Sequence, residues 1–270
     1  MPRILIVDSN PSDCNARQLA GGGDAAGQGY ARALAACDPH VETEIIAPYD
    51  GDRAGDLSVY DGVVFTGSAV EWSTQDDRVE PLAAIMRATF ALGIPVLGSC
   101  NGMQLAASVL GGETGESPNG NEVGLARDVR MTEDGLRHPY LKGREQGYAV
   151  PCVHRDEVRR LPEGAVLLAG NAHSPVQAFA YEKDGIRFWG SQYHPEFVPG
   201  RIGPYLAGSG RLDPDQGALL AVADHDADAA ERLGVRAGEL AAPVRMLELA
   251  NWLASLSPVN RTRTGAMQAP

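Results

Sequence analysis

The 270-residue chain has no long apolar run, no paired cysteines and comparatively little positive charge. Each absence removes a class of protein. No stretch approaches the roughly 20 consecutive apolar residues that a membrane-spanning helix needs. The apolar run at residues 4–7 is too short for a secretory leader, and no small-residue cleavage site accompanies it. It reads as a strand, and the expected location is cytoplasmic. Lys and Arg number 23 against 35 Asp and Glu, a formal charge of −12. Such a surface repels nucleic acid and anionic lipid, and no basic run offsets it, so neither nucleic acid nor membrane is an expected partner. The four cysteines, Cys14, Cys37, Cys100 and Cys152, contain no C-x-x-C and match no metal knuckle. In a reducing compartment they are expected to be free thiols. No cluster of His, Asp and Glu has metal-ligand spacing, and no metal or cofactor is expected. Gly21-Gly22-Gly23 precedes no Gly-Lys-Ser/Thr, so it reads as a loop and not as a phosphate cradle.

What is present describes an ordinary globular protein, 44% hydrophobic and 21% charged. β-rich runs at Arg3–Val7 and at residues 41–47, 62–66 and 94–98 alternate with helical patterns at 29–36 and 78–92. In the second helix Val79, Leu82, Ala83, Met86 and Phe90 share one face. Such alternation implies a parallel sheet covered on both faces. After residue 112 short strands follow one another at Glu122–Met131, 147–153, 165–169, 176–181 and 186–192, separated by turns such as Leu161-Pro162-Glu163-Gly164. The fold class is therefore α/β, a doubly wound, mostly parallel sheet with an antiparallel extension. Residues 1–256 read as one domain. Within it 197–256 form a helical C-terminal extension, clearest at 218–223 and 246–256. Residues 257–270 read as a frayed tail.

The most informative stretch is Gly98-Ser99-Cys100-Asn101-Gly102-Met103-Gln104. An apolar strand enters Gly-x-Cys-x-Gly and a helix leaves it, with Met103, Ala106, Ala107 and Leu110 on one face. A nucleophile on such a sharp turn needs very small residues two before and two after it. The helix N-terminus favours a thiolate, and the N–H of Asn101 is free to bind an oxyanion. A bland alternative is a small buried cysteine in a turn.

The second stretch is Gln192-Tyr193-His194-Pro195-Glu196. A thiol nucleophile needs a base that later protonates the leaving amine, and the base needs an orienting carboxylate. His194 and Glu196 fill these roles, with Pro195 stiffening the link between them. Of the six histidines, His154 is the rival base.

In this order and spacing the two motifs resemble the class I glutamine amidotransferase family. Phe65-Thr66-Gly67-Ser68 resembles its oxyanion turn, and His154-x-Asp156-x-Val158 and Ser174-Pro175-Val176-Gln177 resemble its run before the last strands. The resemblance covers residues 3–197 and implies a flavodoxin-like fold. It implies that Cys100 attacks the γ-carbonyl carbon of glutamine, that His194 protonates the ammonia and then activates water, and that Glu196 orients His194. It assigns oxyanion and substrate contacts to Gly67, Ser68, Asn101 and Gln104. Asn101, Ser68 and Ala69 depart from the commoner family residues, which alters pocket shape without removing a backbone donor.

Two enzyme readings share this site. One is a glutaminase feeding ammonia to a separate synthetase subunit. The other is a γ-glutamyl peptide or amide hydrolase with water as acceptor. The overall resemblance, closest to GMP-synthase-like domains, favours glutamine. A third reading, from another class, is a non-catalytic relative that binds a γ-glutamyl compound or a partner, and association into oligomers is open.

Overall fold

The computed structural model describes residues 1–256. The expected tail at 257–270 lies outside the described residues. The first half runs β1 (Arg3–Val7), α1 (Ser12–Ala20), α2 (Ala26–Cys37), β2 (Glu42–Ile46), β3 (Gly62–Phe65), α3 (Glu80–Ala91), β4 (Val96–Ser99) and α4 (Asn101–Val109). Then follow β5 (Glu113–Glu116), β6 (Glu122–Met131), α5 (Glu133–Arg137), β7 (Tyr148–His154), β8 (Asp156–Arg160), β9 (Val166–Gly170), β10 (Ala178–Tyr181) and β11 (Phe188–Ser191). Five helices complete the described chain: α6 (Pro199–Gly208), α7 (Pro214–Val222), α8 (Ala227–Arg232), α9 (Ala242–Arg245) and α10 (Leu247–Ser255).

Nine strands form one sheet in the order β2-β1-β3-β4-β11-β10-β9-β6-β7. The first five are parallel; β10, β9, β6 and β7 continue it in antiparallel fashion. This is the doubly wound sheet with an antiparallel extension that the sequence implied. Alternation along β1 shows why the parallel part has two cores. Ile4 and Ile6 join Tyr30, Leu34 and Trp252 on one face. Leu5 and Val7 join Leu82, Met86 and Phe90 on the other. A third apolar cluster, with Leu206, Leu220 and Ala230, lies beneath α6, α7 and α8. No helix among the described residues is long and apolar enough to cross a membrane.

Local chemistry sets the element ends. α3 starts at Glu80 with Pro81 in its first turn, after a single 3-10 turn at Asp77–Val79. Gly93, at φ 64°, ends its trailing turn in the left-handed region. Three elements carry no periodic apolar signal. α1 buries only Cys14, and β5 and β8 pair with each other as a separate antiparallel ribbon.

The register of the central strands locates the site. Phe65 lies opposite Gly98, and Ser99 lies opposite Ser191. The carboxyl ends of β3, β4 and β11 therefore lie side by side, where open parallel sheets bind their ligands.

Candidate active site

Cys100 forms the turn between β4 and α4 with φ 49° and ψ −107°, a conformation costly for a residue with a side chain. The surrounding close approach enforces it. A Cβ on Gly98 would meet the Gly102 carbonyl carbon and oxygen at 2.7 Å, and one on Gly102 would lie 2.3 Å from the Phe65 oxygen. The Cys100 amide donates to the Ser191 oxygen at 2.8 Å, and the Cys100 carbonyl accepts from the Gln104 amide at 2.9 Å. The helix thus begins immediately after the thiol, and the N–H of Asn101, its first residue, has no acceptor within the helix.

His194 arrives from the loop after β11. Its amide donates to the Pro151 oxygen at 2.8 Å, tying that loop to β7. Its Nδ1 lies 2.6 Å from Glu196 Oε1, while the Cys100 thiol donates to the Val153 oxygen at 3.7 Å. Phe197 stacks on the ring, centroids 3.9 Å apart and planes within 1°. Cys100, His194 and Glu196 are only 5%, 4% and 7% exposed, so their mutual contacts are shielded from water. Burial favours neutral imidazole, but the charge of Glu196, its bond to the ring and the neighbouring Cys100 outweigh it. His194 is raised from 6.5 to about 10. The other thiols are disfavoured as anions: burial pushes Cys14 and Cys152 up, and Cys37 to about 11.

The turn after β3 closes the third side. A Cβ on Gly67 would lie 2.4 Å from His194 Cε1, so only glycine lets the imidazole sit there. Asn10 secures this turn. Its Oδ1 accepts from the Ala69 amide at 2.7 Å and lies 3.1 Å from Ser68 Oγ, which donates to the Ser9 oxygen at 2.6 Å. Asn10 is in turn placed by Asp8, whose carboxylate accepts from the Asn10 and Gly27 amides, each at 2.9 Å.

The remaining expected residues divide. Asn101 lies beside the thiol, and its buried Oδ1 has no protein donor among the described residues. Gln104 is buried, and its amide donates to the Asp156 oxygen at 2.6 Å and to Gln192 Oε1 at 3.2 Å, linking α4 to β8 and to the approach to His194. His154 is occupied elsewhere: Nε2 lies 2.8 Å from Glu122 Oε2 and Nδ1 lies 3.2 Å from the Asp156 oxygen. Neither nitrogen is left for Cys100. The fold does gather Glu122, His154 and His173 within 4.8 Å, a grouping the linear spacing conceals. Burial would raise the Glu122 carboxyl, yet bonds from His154, Asn171 and Gln177 hold it below its ordinary value. The carboxylate is thus committed to protein donors.

Several residues at the site have no signal in the motifs. Tyr30, from α2, is 1% exposed, and its buried hydroxyl, near Ser99 and Glu196, has no hydrogen-bond partner among the described residues. Arg245 is 4% exposed and donates to the Pro195 oxygen, between His194 and Glu196. Glu248 accepts from the Tyr193 hydroxyl at 2.8 Å and from Arg144 at 2.8 and 2.7 Å. The last two helices thereby hold the His-Pro-Glu segment from behind.

Residues 25–209 match the family model described as glutamine amidotransferase class-I. The chain is 36% identical over 200 residues to the γ-glutamyl-L-1-hydroxyisopropylamide hydrolase of Pseudomonas sp, covering 72% of this chain and 67% of that one. It is 36% identical over 137 residues to the glutamine-hydrolysing GMP synthase of Wolinella succinogenes, covering 51% of this chain and a quarter (25%) of that protein. A solved glutamine amidotransferase from Thermotoga maritima shares the fold, with a TM-score of 0.68, 20% identity and coverage of 93% and 96% of the two chains.

Proposed function

The chain belongs to the class I glutamine amidotransferase family, and on that premise we propose that it hydrolyses the γ-amide bond of γ-glutamyl compounds through Cys100, His194 and Glu196. The observation that carries this is the strained turn at Cys100 beside an imidazole, His194, that is bonded through Nδ1 to Glu196. An imidazole held by a carboxylate through Nδ1 keeps Nε2 for the nucleophile. Sγ attacks the γ-carbonyl carbon, and the developing oxyanion is met by the Asn101 N–H and by the amides of Gly67 and Ser68. The Ala69 amide is excluded from that role because Asn10 occupies it. The C–N bond breaks as His194 protonates the departing nitrogen. Water, deprotonated by His194, then hydrolyses the γ-glutamyl thioester to glutamate and restores the thiol. Asn101 Oδ1, buried and lacking a protein donor, is suited to accept from the α-ammonium of the glutamyl group.

Glutamine is the simplest substrate, with ammonia as the leaving group. Similarity to the Wolinella GMP synthase supports a second reading, in which that ammonia passes to a separate synthetase subunit. Glutamate and ammonia release from glutamine, measured for the wild type beside Cys100→Ala, tests the chemistry. Release should vanish in the variant. Turnover that survives the substitution would remove Cys100 from the mechanism. A wild-type thiol inert to a glutamine-like chloroketone would leave only a binding role.

A further inference from the structure

Resting on the γ-glutamyl reading above, we propose that the pocket beside His194 is a leaving-group subsite for amines that carry a carboxylate. γ-Glutamyl peptides would then be preferred over glutamine. The first argument is positional. His194 must hand its proton to the departing nitrogen, so whatever that nitrogen carries is directed to the imidazole side of the site. A pocket lies there, lined by Gly67, His194 and Phe197 together with residues of α6 and the α1–α2 connection. Ammonia, the leaving group from glutamine, needs no such space.

The second argument is charge. The chain as a whole is strongly anionic, at −12. Outside the His194–Glu196 pair, the pocket nevertheless holds two arginines, Arg201 and Arg211, against a single carboxylate, Asp24. Asp24 is already engaged, accepting from Arg201 at 2.6 Å and pairing with Arg32. Arg211 has no carboxylate partner among the described residues. Its guanidinium lies 5.1 Å from the Tyr205 ring centroid, and its Nε donates to Ser209 Oγ at 3.1 Å. An exposed cation held on an aromatic face in the lining of a pocket suits a bidentate contact with a carboxylate. The acidic surface elsewhere would repel an anionic peptide, which this local reversal offsets. In the reaction the Sγ–C bond forms and the C–N bond breaks. The nitrogen takes its proton from His194, and the amino acid or peptide departs with its carboxylate towards Arg211. Water completes the hydrolysis to glutamate.

The test compares kcat/KM for γ-glutamylalanine and γ-glutamylalanylglycine with that for γ-glutamylethylamide, whose leaving amine has no carboxylate, and for glutamine. The wild type should favour at least one of the peptides by on the order of tenfold to a hundredfold, the range of a charge-assisted hydrogen bond. Arg211→Gln should collapse that ratio towards one, and Arg211→Lys should retain part of it. Arg211 is exposed, so the variants should fold normally. Equal use of ethylamide and peptides by the wild type, or an unchanged ratio in Arg211→Gln, would overturn the subsite while leaving the γ-glutamyl chemistry intact. Failure to cleave any of the four substrates, with Cys100 unreactive towards a glutamine-like chloroketone, would overturn the underlying function as well.

Discussion

Gly67→Ala separates catalysis from folding at this site. The added Cβ would lie 2.4 Å from His194 Cε1, about 1 Å inside the 3.4 Å at which ordinary contact begins. Gly67 has no positive φ, so alanine can adopt its backbone. The imidazole is the softer of the two colliding groups, and it must move by roughly 1 Å. Its ring is stacked on Phe197 and bonded to Glu196, so the movement displaces it from Cys100 instead of relaxing freely. A misplacement of about 1 Å at a reacting group costs on the order of a hundredfold in rate. The overpacking costs about 1–3 kcal/mol, which at this chain length lowers the melting temperature by only about 2–12 °C. The expected result is a folded protein with kcat for γ-glutamyl hydrolysis down about a hundredfold and a smaller change in KM, read by glutamate release beside a thermal melt. Gly55→Ala is the control, since a Cβ there meets nothing within 4 Å. Wild-type kcat in Gly67→Ala would refute the packing of this turn against the imidazole.

Two further substitutions probe the surroundings. His194 is raised from 6.5 to about 10, so its protonation contributes stability that is fully present below pH 6.5 and is lost as pH rises through about 10. Melting temperatures taken across that window should fall in the wild type and fall less in Glu196→Gln; equal slopes would contradict the assignment of Glu196 as the group that raises His194. Arg144→Met leaves Glu248 buried without its ionic partner, their side chains being 1% and 0% exposed. The loss should be about 3–5 kcal/mol by denaturant unfolding, with part recovered in Arg144→Met/Glu248→Gln; a loss under about 1 kcal/mol would show that Tyr193 alone satisfies Glu248.

The legible parts of the sequence were those whose physics is local. Gly98, Cys100 and Gly102 announce a tight turn within five residues, although Gly102 is also required by the close approach of Phe65 from β3, and His194 and Glu196 lie two apart. The central strands show themselves through continuous apolar runs, since both their faces are buried. β8, Asp156-Glu157-Val158-Arg159-Arg160, does not, because it buries carboxylates held by arginine partners, as Arg159 holds Glu157 at 2.6 Å. α1 is concealed by a nearly all-exposed surface. His154 shares its motif with Asp156 but is turned towards Glu122, 32 residues earlier, a choice made by the β6–β7 pairing where the two residues sit opposite each other. Arg245 and Tyr30 reach the site only through helix packing, which no short pattern encodes.

The bond from Arg245 to Pro195 crosses fifty residues of chain (a separation of 50) and so also an interval of synthesis. A ribosome moving at about 5–20 residues per second takes several seconds to pass from one partner to the other. During that interval the nucleophile turn and the His-Pro-Glu segment have both been made, while the helices that clamp them have not. The His-Pro-Glu segment thus gains its hold from behind only once α9 and α10 have been made, and a ribosome stalled after α6 leaves that segment without the Arg245 bond.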